Sequence, residues 1–116
     1  MAQQVTWPTL NENNDENLTA TITTNQPSDG TVLDLTGTTV EAFLKPTAAT
    51  ADDDGTVWLG STATTGVTIT NAAGGQIEVE IPAAAVTTTK GWLRIDVVDA
   101  GKRKTAAYGA VTVTDL

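Results

Sequence analysis

Two groups of carboxylates have a spacing that could support chemistry. The aspartates at 52–54 are adjacent, and neighbouring carboxylates can ligate a hard cation such as Ca²⁺. An EF-hand loop, however, needs ligands at alternate positions and a later bidentate Glu, and this segment has neither. Glu78 and Glu80 project from one face of a predicted strand, about 7 Å apart. Paired carboxylates at that distance can hydrolyse glycosides, but an exposed strand face explains both residues without any chemistry.

The side chains that most enzymes depend on are missing from the sequence. There is no histidine, which removes the usual general base and the commonest metal ligand. There is no cysteine, so disulfides and thiolate metal sites are also excluded. We therefore predict a protein that is not an enzyme and that uses no cofactor and no metal.

The charge balance excludes two classes of partner. Fourteen acidic and six basic residues give a net charge of −8, whereas nucleic-acid binding depends on Lys and Arg that neutralise phosphates. An anionic membrane surface would repel the chain for the same reason. The first ten residues have neither a basic nor an apolar signal-peptide region. We expect no nucleic acid, no membrane, and synthesis in the cytoplasm without a signal peptide.

Short alternating apolar rows, separated by turn residues, predict the fold class. Turns are expected at 26–30, from Pro, Asp and Gly, and at 99–101, where Gly can take a positive φ. Many short strands of this kind predict an all-β, antiparallel two-sheet sandwich of seven to nine strands. We assign residues 1–116 to one domain, with 1–15 as an N-terminal arm or edge strand. The clearest rows are Leu18/Ala20/Ile22, Val40/Ala42/Leu44, Ile77/Val79/Ile81 and Leu93/Ile95/Val97.

Aromatic residues are the first candidates for a partner-binding surface. Trp58 lies between Val57 and Leu59, so it points outward if those two face the core. Phe43 has the same relation to its neighbours. An outward aromatic ring favours an interface, where Trp is enriched; the alternative is that these rings, and Trp92 with them, fill the core.

The N-terminal arm and one basic run supply the remaining candidates. Trp7 docks either on a neighbouring molecule or on this domain. Lys102, Arg103 and Lys104 form the only basic run, which could meet the acidic 52–54 loop of an adjacent copy. The alternative is that these residues only keep a hairpin edge soluble and unpaired.

Five segments, in order, resemble a known family: LTATIT, VLDLTGTTVEAFLK, GVTITNAAGGQIEVEI, GWLRIDVVDAGKRKT and YGAVTVTDL. They are similar to the small immunoglobulin-like virion domains of tailed bacteriophages, including the N-terminal domain of baseplate upper proteins and small head-decoration or tail accessory proteins. The resemblance covers residues 16–116, and it departs from the family at Trp92 and in the acidic loop 47–55. It implies an immunoglobulin-like sandwich and a place in the virion, after synthesis in the host cytoplasm.

Three functions follow as hypotheses. The first is a bacteriophage virion structural protein, either a tail or baseplate accessory or a capsid decoration, which binds other virion proteins and copies of itself. The second is a carbohydrate-binding module that reads host-surface glycans through exposed Trp, since sugar rings pack on aromatic faces. The third is a secreted adhesive module, which the absence of a signal-peptide pattern disfavours.

Overall fold

A computed structural model describes residues 3–23 and 32–115, and the turn predicted at 26–30 lies outside them. Within the described residues the chain is almost entirely β, and most strand pairs are antiparallel. In this part of the chain a single 3₁₀ turn, Ala83–Ala85, follows Pro82. The strands are β1 Gln3–Gln4, β2 Leu10–Asn11, β3 Glu16–Thr21, β4 Thr39–Lys45, β5 Trp58–Ser61, β6 Val67–Asn71, β7 Gln76–Ile81, β8 Trp92–Asp99, β9 Lys102–Ala110 and β10 Val113–Thr114.

The strands form a five-stranded sheet, a three-stranded sheet and one short pair. The order of the five-stranded sheet is β1-β9-β8-β4-β5, and that of the three-stranded sheet is β3-β7-β6. The short strands β2 and β10 pair in parallel, and β1 lies parallel to β9 at the edge of the larger sheet. The strands and their mostly antiparallel pairing confirm the all-β, antiparallel part of the predicted fold class, and the arrangement of the two larger sheets resembles a β-sandwich.

One hydrophobic core lies between the two sheets. The four alternating rows identified from the sequence point into it, with Ala20 alone half-buried. Leu35, Val86 and Val111, from the connections, pack against the same cluster. Because the apolar side chains alternate with polar ones along each strand, each sheet also presents an outer face. The outer face of the five-stranded sheet differs sharply in composition from that of the three-stranded sheet.

No helix in the parts of the chain that the structure describes is long and apolar enough to cross a membrane.

Candidate functional site

The outer face of the five-stranded sheet carries the densest group of interacting side chains. On β4, alternation turns Glu41, Phe43 and Lys45 away from the core, although Phe43 and Lys45 are still buried. Their partners across β8 are acidic, basic or aromatic, and Arg94 lies directly opposite Phe43. We refer to this outer surface of β5, β4, β8 and β9 as the outer face.

Two arginines cover the Phe43 ring. The guanidinium carbon of Arg94 lies 4.4 Å from the ring centroid, and that of Arg103 lies 5.7 Å away. Both distances suit a cation–π interaction, which contributes about 0.5–1 kcal/mol at exposed sites. Phe43 is only 4% exposed. The prediction that Phe43 points away from the core agrees with the structure, but the arginines, rather than a partner, cover its ring.

Asp96 links the two arginines beneath the surface. Its side chain is 1% exposed and accepts hydrogen bonds from Arg94 Nε at 2.9 Å and Nη2 at 3.0 Å. Arg103 Nη1 donates to the same carboxylate at 3.2 Å and forms an ion pair with Glu41. A buried carboxylate is tolerated only when it is paired and hydrogen-bonded in this way. The network therefore fixes both guanidinium groups in place over Phe43.

The acidic loop after β4 closes one side of this network. Asp52 accepts hydrogen bonds from Arg94 at 2.6 and 3.0 Å and forms an ion pair with Lys45. The buried Lys45 ammonium also donates to the Thr50 carbonyl oxygen at 2.8 Å. These bonds, first from Arg94 and then from Lys45, lower the pKa of Asp52 from 3.8 to about 2. Burial lowers the pKa of Arg94, but its bonds to Asp52 and Asp96 outweigh that effect and raise it.

Apolar and aromatic groups flank the charged centre. Trp92 and Tyr108 stack on each other, with ring centroids 5.7 Å apart and an interplanar angle of 28°. On the opposite side, Leu59 of β5 lies next to Phe43 in the register and is 50% exposed. Arginine and aromatic side chains are enriched in protein interfaces, and both are present on this surface.

The charges of the chain are distributed unevenly between the two sheets. Every Lys and Arg lies on the five-stranded sheet or, for Lys90, just before β8. The strands of the three-stranded sheet contain no base but include Glu16, Glu78 and Glu80. On the outer face, three acids and three bases pair with one another. The outer face is therefore close to neutral, whereas the opposite face is acidic.

The structure decides between the two alternatives that the sequence left open for Trp58. Leu59, not Trp58, faces outward on β5, and Trp58 packs against the core. The reason is local: Cβ atoms added at Gly60 and Gly66 would lie 2.6 and 2.8 Å from the Trp58 ring, so the two glycines provide the space that the ring occupies. Apolar residues on both sides of Trp58 left the direction of alternation undetermined.

Trp7 binds to its own domain. Its side chain is buried, and the indole Nε1 donates to the Leu93 carbonyl oxygen at 3.1 Å. Close by, the Val5 amide donates to the Tyr108 carbonyl oxygen at 2.8 Å, which holds the arm against β9. Of the two alternatives for Trp7, the structure shows docking on this domain.

The basic run lies at the start of β9, and its three exposed residues have different surroundings. Arg103 turns back onto Glu41 and Asp96, whereas Lys102 and Lys104 line a depression that Asp34 and Asp99 also border. Asp52 of the acidic loop is paired with Lys45 and Arg94 of the same chain, and the contact of the basic run with an adjacent copy stays a prediction.

The carboxylate groups considered first have simple structural roles. Asp54 accepts hydrogen bonds from the Thr56 amide and hydroxyl at 2.8 and 2.6 Å, which shapes a turn and lowers the pKa of Asp54. The hydrogen bond shared with Glu80 raises the pKa of Glu78, and burial and the like charge act in the same direction. Within residues 3–23 and 32–115, no group of three or more potential ligands is placed to hold a metal ion.

Sequence reasoning missed most of the outer-face residues. Arg94, Asp96 and Leu59 occupy outward positions in their strands, and this alternation was the one signal that could have identified them. What the sequence does not give is the pairing of β4 with both β5 and β8, which brings these side chains together around Phe43.

No protein-family model matches the chain, and no curated protein matches it. The function must therefore be inferred from the chemistry of the outer face and from the resemblance described above.

Proposed function

We propose that this chain is a bacteriophage virion structural protein with an immunoglobulin-like sandwich, and that it docks on the assembled particle through the outer face. The observation that carries the proposal is the fixed arrangement of Arg94 and Arg103 over Phe43, flanked by the exposed Leu59 and the Trp92–Tyr108 stack. The proposal includes two alternative positions in the virion: the protein is either a tail or baseplate accessory or a capsid decoration.

The rigidity of this surface suits a protein that binds a repeating lattice. Side chains that are already held in one conformation lose little entropy on binding, so more of the contact energy appears as affinity. A symmetric particle then offers many equivalent sites, each occupied according to mass action. The absence of histidine and cysteine from the sequence agrees with a structural rather than a catalytic role.

The test is quantitative binding to particles. Purified protein is mixed with virions or with empty heads and tails of the phage that encodes it, and the bound fraction is measured by sedimentation. We expect saturable, stoichiometric binding that Leu59→Asp weakens by tenfold or more, because it places an unpaired charge in a contact that excludes water (about 1.4 kcal/mol per tenfold). The control Ala84→Asp adds the same charge at an exposed position in the 3₁₀ turn and should bind normally.

Two results would reject the proposal. One is the absence of the chain from purified virions by mass spectrometry. The other is equal binding of particles by the wild-type protein and by Leu59→Asp, which would exclude the outer face as the contact.

One observation favours carbohydrate binding as a second candidate. The partly exposed Trp58 borders a shallow depression that Asp15, Asn17 and Glu80 also line. An aromatic face beside carboxylate and amide groups can stack on a sugar ring and bind its hydroxyls. Addition of host cell-wall polysaccharide would then change the tryptophan fluorescence, and Trp58→Phe, but not Trp92→Phe, would abolish the change.

A further inference from the structure

The open edge of β3 lacks the features that usually prevent strand addition. Proteins protect exposed edges with Lys, Pro, bulges or very short strands. β3 has six residues, contains neither Lys nor Pro, and pairs with β7 in unbroken register from Glu16 to Thr21. By contrast, β6, the other edge of this sheet, has an irregularity after Ile69, and the edge strands of the five-stranded sheet, β1 and β5, have only two and four residues.

The hydrogen-bonding direction of β3 follows from its neighbours. The Glu80 amide donates to the Gly66 carbonyl oxygen beside β6, so Glu80 is directed away from β3. Backbone groups alternate in direction along a strand, so Val79 is directed toward β3 and bonds its partner Leu18. The residues of β3 that alternate with Leu18 therefore direct their amides and carbonyls away from β7; these residues are Asn17, Thr19 and Thr21. Within the described residues, no other strand pairs with that side of β3.

The side chains around this edge define the charge of a suitable partner. Thr19 lies opposite Glu78, and Asn17 lies opposite Glu80, so two small polar residues separate the open edge from two carboxylates. A Lys side chain on an added strand is long enough to cross a neighbouring strand spacing of about 4.8 Å. Like-charge repulsion between the two glutamates would be relieved by such a cation.

We infer that the β3 edge binds an extended peptide segment that carries Lys or Arg at alternate positions, by adding it to the three-stranded sheet. Backbone hydrogen bonds to Asn17, Thr19 and Thr21 supply the pairing. The alternate basic side chains meet Glu78 and Glu80 on the exposed side, and apolar residues of the segment lie beside Leu18 on the core side. A second copy of this chain is a poor partner for the same edge, because pairing β3 with β3 would bring acidic rows together.

This inference rests on the three-stranded sheet and does not depend on the proposed function. Its probe is an acetylated and amidated heptapeptide of alternating Lys and Val, added to the isotope-labelled protein and followed by amide hydrogen exchange. We expect slower exchange at Asn17, Thr19 and Thr21, with Leu18 and Ala20 protected before and after addition. The matched control peptide, with Glu in place of Lys, should leave all five amides unchanged.

A backbone variant separates strand addition from simple charge attraction. Thr19→Pro removes an outward amide and should weaken binding of the Lys peptide by about tenfold, whereas Thr19→Ser should bind as the wild type does. If Thr19→Pro does not fold, the exchange experiment on the wild type decides. Unchanged exchange at the three outward amides, or equal protection by the Lys and Glu peptides, would overturn the inference, as would dimerisation through β3 without peptide.

Discussion

Asp96 and Asp52 bind the same arginine in different surroundings. Asp96 is almost fully enclosed and has two guanidinium partners, so removing either arginine would leave a buried charge without full compensation. Asp52 is 44% exposed at its side chain and holds the loop against Lys45 and Arg94. The first residue therefore fixes the centre of the outer face, and the second closes its border.

Because folding lowers the pKa of Asp52, this residue makes the free energy of unfolding depend on pH. A carboxyl group whose pKa falls from 3.8 to about 2 on folding stabilises the native state above pH 4, and that contribution is lost as the pH falls toward 2. Because the side chain is partly exposed, solvent screening reduces the contribution to about 1 kcal/mol. Asp52→Asn should therefore lower the free energy of unfolding at pH 7 by about 1–2 kcal/mol, including the cost of the unpaired Lys45.

Urea unfolding at pH 7 and at pH 2 measures this effect. The difference between Asp52→Asn and the wild type should shrink at the lower pH, where the wild-type carboxyl is also becoming protonated. Asp53→Asn is the control, since Asp53 is exposed and has no ion-pair partner within the described residues. A pH-independent difference would show that the ion pairs of Asp52 do not contribute as described.

The turn of the β8–β9 hairpin holds Ala100 in a strained backbone conformation that a different residue would adopt more easily. Its two turn residues, Ala100 and Gly101, have φ values of 53° and 79°, and two positive values are what a type I′ turn requires. Gly accepts this conformation freely, but Ala does not. We expect Ala100→Asn to raise the free energy of unfolding by about 0.5–1 kcal/mol, since Asn is favoured at the first position of such turns.

The control for the hairpin is Ala48→Asn, an exposed loop position without a positive φ. Its urea midpoint should match that of the wild type, whereas the midpoint of Ala100→Asn should increase. A midpoint for Ala100→Asn at or below the wild-type value would show that the turn does not hold Ala100 under strain.

The N-terminal arm depends on the absence of a side chain at Gly109. A Cβ atom at that position would overlap the Val5 carbonyl oxygen, which belongs to the backbone and cannot move independently. Gly109→Ala should therefore separate the arm from β9, speed exchange of the Val5 amide and lower stability by about 1–3 kcal/mol. Gly55→Ala, with no atom within 4 Å of the added Cβ, should change neither. Unchanged exchange at Val5 would contradict the expected separation.

The strands show what alternation can and cannot predict. The rows through Val40, Ile77 and Leu93 were predicted from the sequence because one side of each strand is consistently apolar. The direction of β5 was left open by the sequence, since its apolar residues are consecutive and the glycines that accept Trp58 are identifiable only in three dimensions. The outer-face network was not predicted as a unit because it depends on strand pairing between distant segments, which no local pattern encodes.

At the scale of the whole molecule, the two sheets present surfaces of different electrostatic character. The outer face has its acids and bases paired with one another, whereas the three-stranded sheet has carboxylates without bases on its strands. Of the fourteen acids in the sequence, Glu16, Glu78 and Glu80 lie on the strands of this second surface. In the proposed docking, charge repulsion would direct the three-stranded sheet away from other acidic surfaces, which would favour one orientation on the particle.

The salt dependence of binding distinguishes the two surfaces. Contacts through the balanced outer face exchange few ions, so particle affinity should change by less than about threefold between ~50 and ~300 mM NaCl. Binding of the Lys/Val peptide at the β3 edge depends on the attraction between its lysines and the carboxylates of Glu78 and Glu80. Salt screens this attraction, so peptide affinity should weaken by about tenfold over the same range. Sedimentation at several salt concentrations measures the first, and peptide titration measures the second. If particle binding weakens as steeply as peptide binding, the particle contacts the acidic sheet, and the outer face is not its docking surface.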